Sequence, residues 1–161
     1  MSEQVKICAF TGHRQIKSEH QSTLPDLLAR AVNYAYSEGC RVFLSGGAIG
    51  FDTMAAREVI RFRLTHPDVK LVMLLPCLNQ DERWSDAQKD AYDYVLSAAN
   101  EVRYISEQYD ADCMRRRNLA LAEECDIMIS YVYKQRSGSS QTARMAKLRA
   151  KAVYNLATAV K

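Results

Sequence analysis

The sequence predicts an α/β fold: a doubly wound, mainly parallel sheet sandwiched by helices, in a single domain spanning 1–161. Three observations predict it. Six short apolar runs alternate with longer amphipathic ones from one end of the chain to the other. Most of those runs are unbroken, the pattern of strands covered on both faces rather than on one. No Pro-, Gly- or Ser-rich linker, low-complexity tract or internal repeat divides the 161 residues. At that length one domain is the default, and folding removes about 70% of the extended chain's surface from water.

The elements follow in order. Val5 to Phe10 reads as the first strand. After Ser22-Thr23, the residues Leu24, Leu27, Leu28, Ala31, Val32 and Ala35 recur at helical spacing. Pro25 stands in the first turn, where its missing N–H is not needed, and Gly39 stands where a helix stops. Arg41 to Leu44 is the second strand and Asp52 to Leu64 the second helix. Val69 to Leu75, Glu101 to Ile105, Ile127 to Val132 and Ala152 to Leu156 are the later strands. Ser85 to Ala98, Asp112 to Glu124 and Ser139 to Lys151 are the helices between them. Parallel strands joined by helical crossovers, with the connections right-handed, give the doubly wound sandwich.

Composition bounds the class of function. The chain is 48% apolar and 25% charged, an ordinary globular balance. No window approaches 18 consecutive apolar residues, and Met1-Ser2-Glu3-Gln4 has no basic n-region followed by an apolar stretch. Neither a membrane span nor a secretory signal is expected, and the expected location is cytoplasmic. Cys8, Cys40, Cys77, Cys113 and Cys125 are odd in number and widely spaced, which reads as reduced core thiols. With no C-x-x-C pair and only His13, His20 and His66, no metal ligand set assembles and no metal is expected.

The net charge of +3 conceals an asymmetry. Residues 1–126 hold 15 basic and 19 acidic side chains, whereas residues 127–161 hold seven basic ones and no acid. That C-terminal fifth is either a solvated helix face or an electrostatic funnel toward an anionic ligand.

Ligands of open parallel sheets bind beyond the carboxyl ends of the strands, where the strand order reverses. Four strand-to-helix loops there are chemically unusual. Ser45 to Asp52 holds Gly46, Gly47 and Gly50, three of the six glycines, directly before a helix. Glycine lets backbone N–H groups approach an oxyanion, and the helix N-terminus adds roughly half a positive charge. The spacing matches neither the P-loop nor the G-x-G-x-x-G fingerprint, so no cofactor is identified by motif. Asp52 either caps its helix, or accepts from a ribose hydroxyl or positions a water. In the first loop, Thr11-Gly12-His13-Arg14, a backbone donor, an imidazole and a guanidinium emerge together; Arg14 can bond two anionic oxygens. His13 is a candidate acid/base or a hydrogen-bonding residue. In the last loop Ser137, Gly138, Ser139, Ser140 and Thr142 form a second anion cradle or a plain polar turn. Arg115, Arg116, Arg117 and Asn118 stand at a helix N-terminus, where unpaired arginines oppose the dipole unless an anion binds. Trp84, the only tryptophan, either stacks on a base or packs its own helix.

At these loops the sequence resembles the SLOG superfamily of Rossmann-like nucleotide-binding proteins, most closely its small, bacterial YpsA-like branch. The residues that carry the likeness are Thr11-Gly12-His13-Arg14, Ser45-Gly46-Gly47 with Gly50 and Asp52, Leu75-Pro76-Cys77 with Gln80 and Trp84, Cys113 to Asn118, and Ser137-Gly138 with Gln141-Thr142. Ser45 to Asp52, Arg117-Asn118 and Ser137-Gly138 to Thr142-Ala143 are also similar to the Rossmann core of the DNA-processing protein A family, which loads single-stranded DNA. Met114 with Arg115 or Arg117 looks like part of the arginine motif of the Lonely Guy phosphoribohydrolases. Those enzymes follow their glycine loop with a catalytic glutamate, and this chain has no acid after Asp126. Hydrolysis by that mechanism would need Asp52 or His13 instead.

The expected function is binding of a nucleotide or nucleotide-derived phosphate ligand, as a sensor or binding protein. Gly46, Gly47 and the Ser137 to Thr142 loop would hold phosphate, Arg14 and Arg117 would neutralise it, and Asp52 or Asn118 would read the ribose. N-glycosidic hydrolysis and single-stranded nucleic-acid binding are the alternatives. The resemblance implies a homodimer or larger assembly, and the lack of a long apolar run implies no membrane partner.

Overall fold

The computed structural model describes residues 5–159. Six strands and five helices alternate: β1 (Lys6–Gly12), α1 (Leu24–Ser37), β2 (Cys40–Ser45), α2 (Phe51–Arg63), β3 (Lys70–Leu75), α3 (Asp86–Ala98), β4 (Glu101–Tyr104), α4 (Cys113–Glu124), β5 (Ile127–Tyr131), α5 (Gly138–Leu148) and β6 (Ala152–Asn155). The strands form one sheet in the order β4-β3-β2-β1-β5-β6, and every neighbouring pair is parallel. The chain starts at the centre, winds out to β4, and returns through α4 to β5 on the far side of β1. The strand order therefore reverses between β1 and β5.

Alternation along each strand divides the core. Cys8 and Phe10 of β1, Phe43 of β2, Leu71, Met73 and Leu75 of β3, and Ile127, Ile129 and Tyr131 of β5 pack with α1, α2 and α3. Ala9, Leu44, Val72, Leu74 and Met128 pack with Leu121 and Ala122 of α4 and Ala143 and Ala146 of α5. The second layer is built from smaller residues than the first. Each large side chain so buried contributes about 1.5–3 kcal/mol against the entropy of ordering the chain. The edge strands β4 and β6 are partly exposed, unlike the central four.

Four boundaries differ from the expectation in ways that matter. β1 continues through Thr11 to Gly12 and β2 through Ser45, because both remain hydrogen-bonded to neighbours beyond the apolar run. α2 opens at Phe51, one residue early, so Asp52 lies inside its first turn. α5 opens at Gly138, capped by Ser137. All five cysteines are free and buried. Burial pushes the thiols of Cys40 and Cys125 up to about 11, which leaves them inert packing groups at neutral pH.

Candidate functional site

At the carboxyl ends of the central strands, beside the reversal of strand order, lies a cavity of about 330 Å³. Four segments build it. The end of β1 supplies Thr11, Gly12, His13 and Arg14; the β2–α2 turn supplies Ala48 and Asp52; α4 supplies Met114, Arg117 and Asn118; and the start of α5 supplies Ser137, Gly138 and Ser139. The first turns of α2, α4 and α5 thus meet around one space, from both faces of the sheet. Each brings backbone N–H groups that the helix itself leaves unpaired, together with the positive end of its dipole.

Arg117 is the charge at the centre of this arrangement. It lies on the sheet-facing stripe of α4, four residues after Cys113 and four before Leu121, and is only 4% exposed. Its Nη1 donates to the Gly46 carbonyl and its Nε to Asn118 Oδ1 at 2.8 Å. Gly46 makes room for it, because a Cβ there would stand 2.8 Å from Nη1 and 3.0 Å from Cδ and Cζ. No carboxylate comes within ion-pair distance of Arg117 among the described residues. Burial pulls its pKa down, and the field of Asp52 partly offsets that.

Among the described residues Asp52 is the only acid lining the cavity, and it is 5% exposed. Its Oδ2 accepts from the Ala48 N–H at 3.4 Å, while its Oδ1 is buried without any hydrogen-bond partner. Burial pushes its carboxyl up to about 6; Arg117, the Ala48 N–H and Arg14 pull it back down. It does not cap α2, whose N-cap is Gly50. At Gly50 φ is +85°, and a Cβ would meet the Arg14 carbonyl oxygen at 2.1 Å. The bond from Phe51 N–H to the His13 carbonyl at 3.1 Å clamps the first two loops together at this close approach.

Several of the expected residues support the site rather than face a ligand. His13 is buried, and its Nε2 accepts from the N–H groups of Tyr133 (3.0 Å) and Lys134 (3.2 Å). Two donors on Nε2 fix the neutral tautomer with its proton on Nδ1, and burial with Lys134 holds the imidazole pKa below 6.5. That nitrogen is not available to a substrate. Ser45 Oγ donates to the Asp52 carbonyl at 3.0 Å and accepts from Gly47 N–H at 3.3 Å. Ser137 Oγ accepts from Ser140 N–H at 3.0 Å in a capping box, and Thr142 Oγ1 donates back to the Gly138 carbonyl at 2.7 Å. The α5 cradle therefore offers backbone N–H groups and Ser139 rather than a row of hydroxyls.

Two expectations are revised. The arginines of α4 are not an unpaired cluster: Arg115 pairs with Asp112 at 2.9 Å and Arg116 with Asp110 at 2.8 Å, both on the outer face. Acids in the preceding loop neutralise them against the dipole, and Arg115 does not line the cavity. Trp84 lies outside it as well, packed edge-on against Tyr92 with centroids 5.0 Å apart. It lines a second cavity of about 560 Å³ with Arg14, Ile49, Asn79, Gln80, Arg83, Gln88, Tyr109 and Met114 among others. Arg14 and Met114 line both spaces. Arg14 also borders a shallower groove of about 810 Å³ between α2 and α3. Sequence reasoning missed Asn79 and Tyr109 as cavity-lining residues, which sit in aperiodic loops and carry no pattern; Ala48 lies in the singled-out Ser45 to Asp52 loop but was given no role. Met114 and Gln80 stood within the resembling motifs but were not assigned a place.

The profile of the YspA SLOG family (YpsA) matches residues 8–159. The UPF0398 protein of Bacillus cereus (strain G9842) is 24% identical over 144 residues, 84% of this chain and 78% of that protein. Among solved structures, DNA processing protein A of Streptococcus pneumoniae superposes with a TM-score of 0.65 at 22% identity over 94% of this chain. The chain spans about half the length of that protein. DNA processing protein A of Helicobacter pylori, described for its single-stranded DNA binding mode, gives 0.63 at 24% identity over 92% of this chain and 63% of its own. TM1055 gives 0.58 at 15% identity over 92% of this chain and 72% of its own. These structures share the fold, and with the profile covering nearly the whole described sheet, the chain belongs to the YspA SLOG family.

Proposed function

We propose that the protein binds a nucleotide or nucleotide-derived phosphate ligand in the β1/β5 crevice and acts as a ligand sensor or binding protein. One observation carries the reading: a buried guanidinium, Arg117, with no carboxylate at ion-pair distance among the described residues, beside a cavity ringed by the first turns of three helices. Burying a charge without a partner costs several kcal/mol, and a bound anion supplies the partner. Asp52 Oδ1, an acceptor with no donor, suits a sugar hydroxyl next to that anion. A thermal-shift screen against AMP, ADP, NAD, ADP-ribose, cyclic nucleotides and deoxynucleotides tests it. A ligand at a hundredfold excess over its Kd stabilises by about 2.7 kcal/mol, a shift of roughly 5–11 °C for a domain of this size. No shift with any phosphate ligand overturns the proposal.

Two features support the alternatives. Asp52, raised to about 6, is poised as a general acid/base for N-glycosidic cleavage, and chromatography of the same mixtures for released base decides between binding and hydrolysis. Lys134, Arg144 and Lys147 border an acid-free hollow of about 420 Å³ beside β6, which suits a nucleic-acid backbone. That reading requires oligonucleotide affinity to fall with salt at a slope of about −0.7 per phosphate neutralised. The resemblance also supports a homodimer or larger assembly, which light scattering on purified protein checks, and the sequence composition supports a cytoplasmic location, which fractionation of cells checks.

A further inference from the structure

We infer that the ligand carries a nucleobase, held in the 560 Å³ cavity beside the phosphate site, with Trp84 and Tyr109 as stacking surfaces and Gln80 reading an amino-bearing edge. The inference rests on the phosphate reading proposed above. Three observations converge on it.

The two spaces adjoin. Arg14 and Met114 line both, so a phosphate seated by Arg117 places the rest of its molecule at the mouth of the second cavity. Their chemistry differs in the way the two ends of a nucleotide differ. The first presents a buried cation, a carboxylate and helix N-termini. The second presents an indole, a phenol, the aliphatic Ile49 and Met114, and the amides of Asn79, Gln80 and Gln88, with Arg14, Arg83 and Glu82 as its charges. Aromatic rings and amides are what a base requires: a flat apolar surface and hydrogen-bonding groups for its edge.

Gln80 supplies the reading group. Its Nε2 donates to Tyr92 Oη at 3.1 Å and lies 3.5 Å from the Gly47 carbonyl. A carbonyl only accepts, so the amide is oriented with Nε2 toward Gly47 and Oε1 away from it. Oε1 is buried with no donor. Among the described residues only two side-chain nitrogen or oxygen atoms are buried and unpartnered, Asp52 Oδ1 and Gln80 Oε1, each on a residue that lines one of the two cavities. Both are acceptors. A hydroxyl answers the first and an exocyclic amino group the second, and adenine, guanine and cytosine nucleotides carry both. Gln80 also ties this compartment to the phosphate loop, through Gly47.

The single tryptophan makes the test direct, since indole emission reports this compartment alone. Wild-type protein is titrated with AMP, CMP, GMP, UMP and ribose 5-phosphate, exciting at the red edge of the indole band, with affinities measured in parallel by calorimetry. At least one amino-bearing nucleotide is expected to bind about tenfold or more tightly than ribose 5-phosphate, to exceed UMP, and to change Trp84 emission. Tyr109→Ala, at an exposed position outside the core, is expected to reduce that preference severalfold and leave ribose 5-phosphate affinity unchanged. Gln80→Leu is expected to abolish the advantage over UMP. Equal affinity for ribose 5-phosphate and every nucleotide, or nucleotide binding with unchanged Trp84 emission, overturns the base compartment while leaving the phosphate site standing. Binding of none of the five overturns this inference, whereas the phosphate reading falls only if the wider screen of phosphate ligands fails as well.

Discussion

Replacing Asp52 with asparagine is expected to make the unliganded protein more stable at neutral pH. In the folded chain the carboxyl sits at about 6 against an ordinary 3.8, with burial as the main cause. Between those two values the folded protein keeps a proton that the unfolded chain releases. Stability contributed by this group therefore falls as pH rises from about 4 to about 6, and stays low above that. At about 1.4 kcal/mol per pH unit the cost at neutral pH is about 3 kcal/mol. Asparagine, uncharged throughout, removes it. Asp52→Asn should raise the melting temperature by roughly 6–12 °C at about pH 7.5, and the gain should vanish near pH 4. His13 titrates the opposite way in the same range. Its pKa is lowered, chiefly by burial and then by Lys134, so stability is lost as pH falls through 6.5. The wild-type profile mixes the two, but the difference between variant and wild type cancels His13. Thermal or urea denaturation across pH 4 to 8 measures that difference. A variant less stable than wild type at pH 7.5, or one whose difference does not change with pH, refutes the reasoning.

Arg117→Met should weaken phosphate-ligand binding about tenfold or more, since a charge-assisted hydrogen bond contributes about 1.5–3 kcal/mol. Arg115→Ala, which removes only an exposed pair with Asp112, should leave calorimetric affinity unchanged. Gly50→Ala should cost about 3 kcal/mol or more of stability in urea unfolding, because it combines a left-handed backbone with a clash on the Arg14 carbonyl.

The elements were legible because period and composition decide them locally. Unbroken runs such as Leu71 to Leu75 can only be central strands, and Pro25 and Gly39 bracket α1. That the four loops share one sheet edge also followed, since parallel strands all end on the same side. Their convergence on one cavity needed the return of α4 across the sheet, which no local pattern encodes. The arginine run shows the limit. Helical spacing alone could have set Arg117 apart, since it falls on the stripe of Cys113 and Leu121, but the acids that neutralise its neighbours lie in an aperiodic loop. The state of His13 was illegible for a different reason: the backbone donors that fix its tautomer lie 120 and 121 residues away.

Gly46 separates the needs of the fold from those of the site. The backbone there is not in the left-handed region, so alanine is conformationally acceptable. Its Cβ would instead press on the Arg117 guanidinium, the far end of a flexible side chain held by the Gly46 carbonyl and Asn118. Relief by moving Arg117 a few tenths of an ångström costs about 1 kcal/mol of stability, the lower end of the overpacking range, because the far end of a flexible side chain gives way. Binding should suffer more. A guanidinium displaced within this cavity loses the alignment that makes its anion contacts strong. Gly46→Ala should therefore resemble Arg117→Met in affinity while staying near wild type in urea unfolding. If affinity holds in Gly46→Ala and falls in Arg117→Met, the guanidinium acts through its charge alone and its fit against the glycine turn is immaterial. If both variants bind as wild type does, Arg117 serves the fold and the anion is held elsewhere.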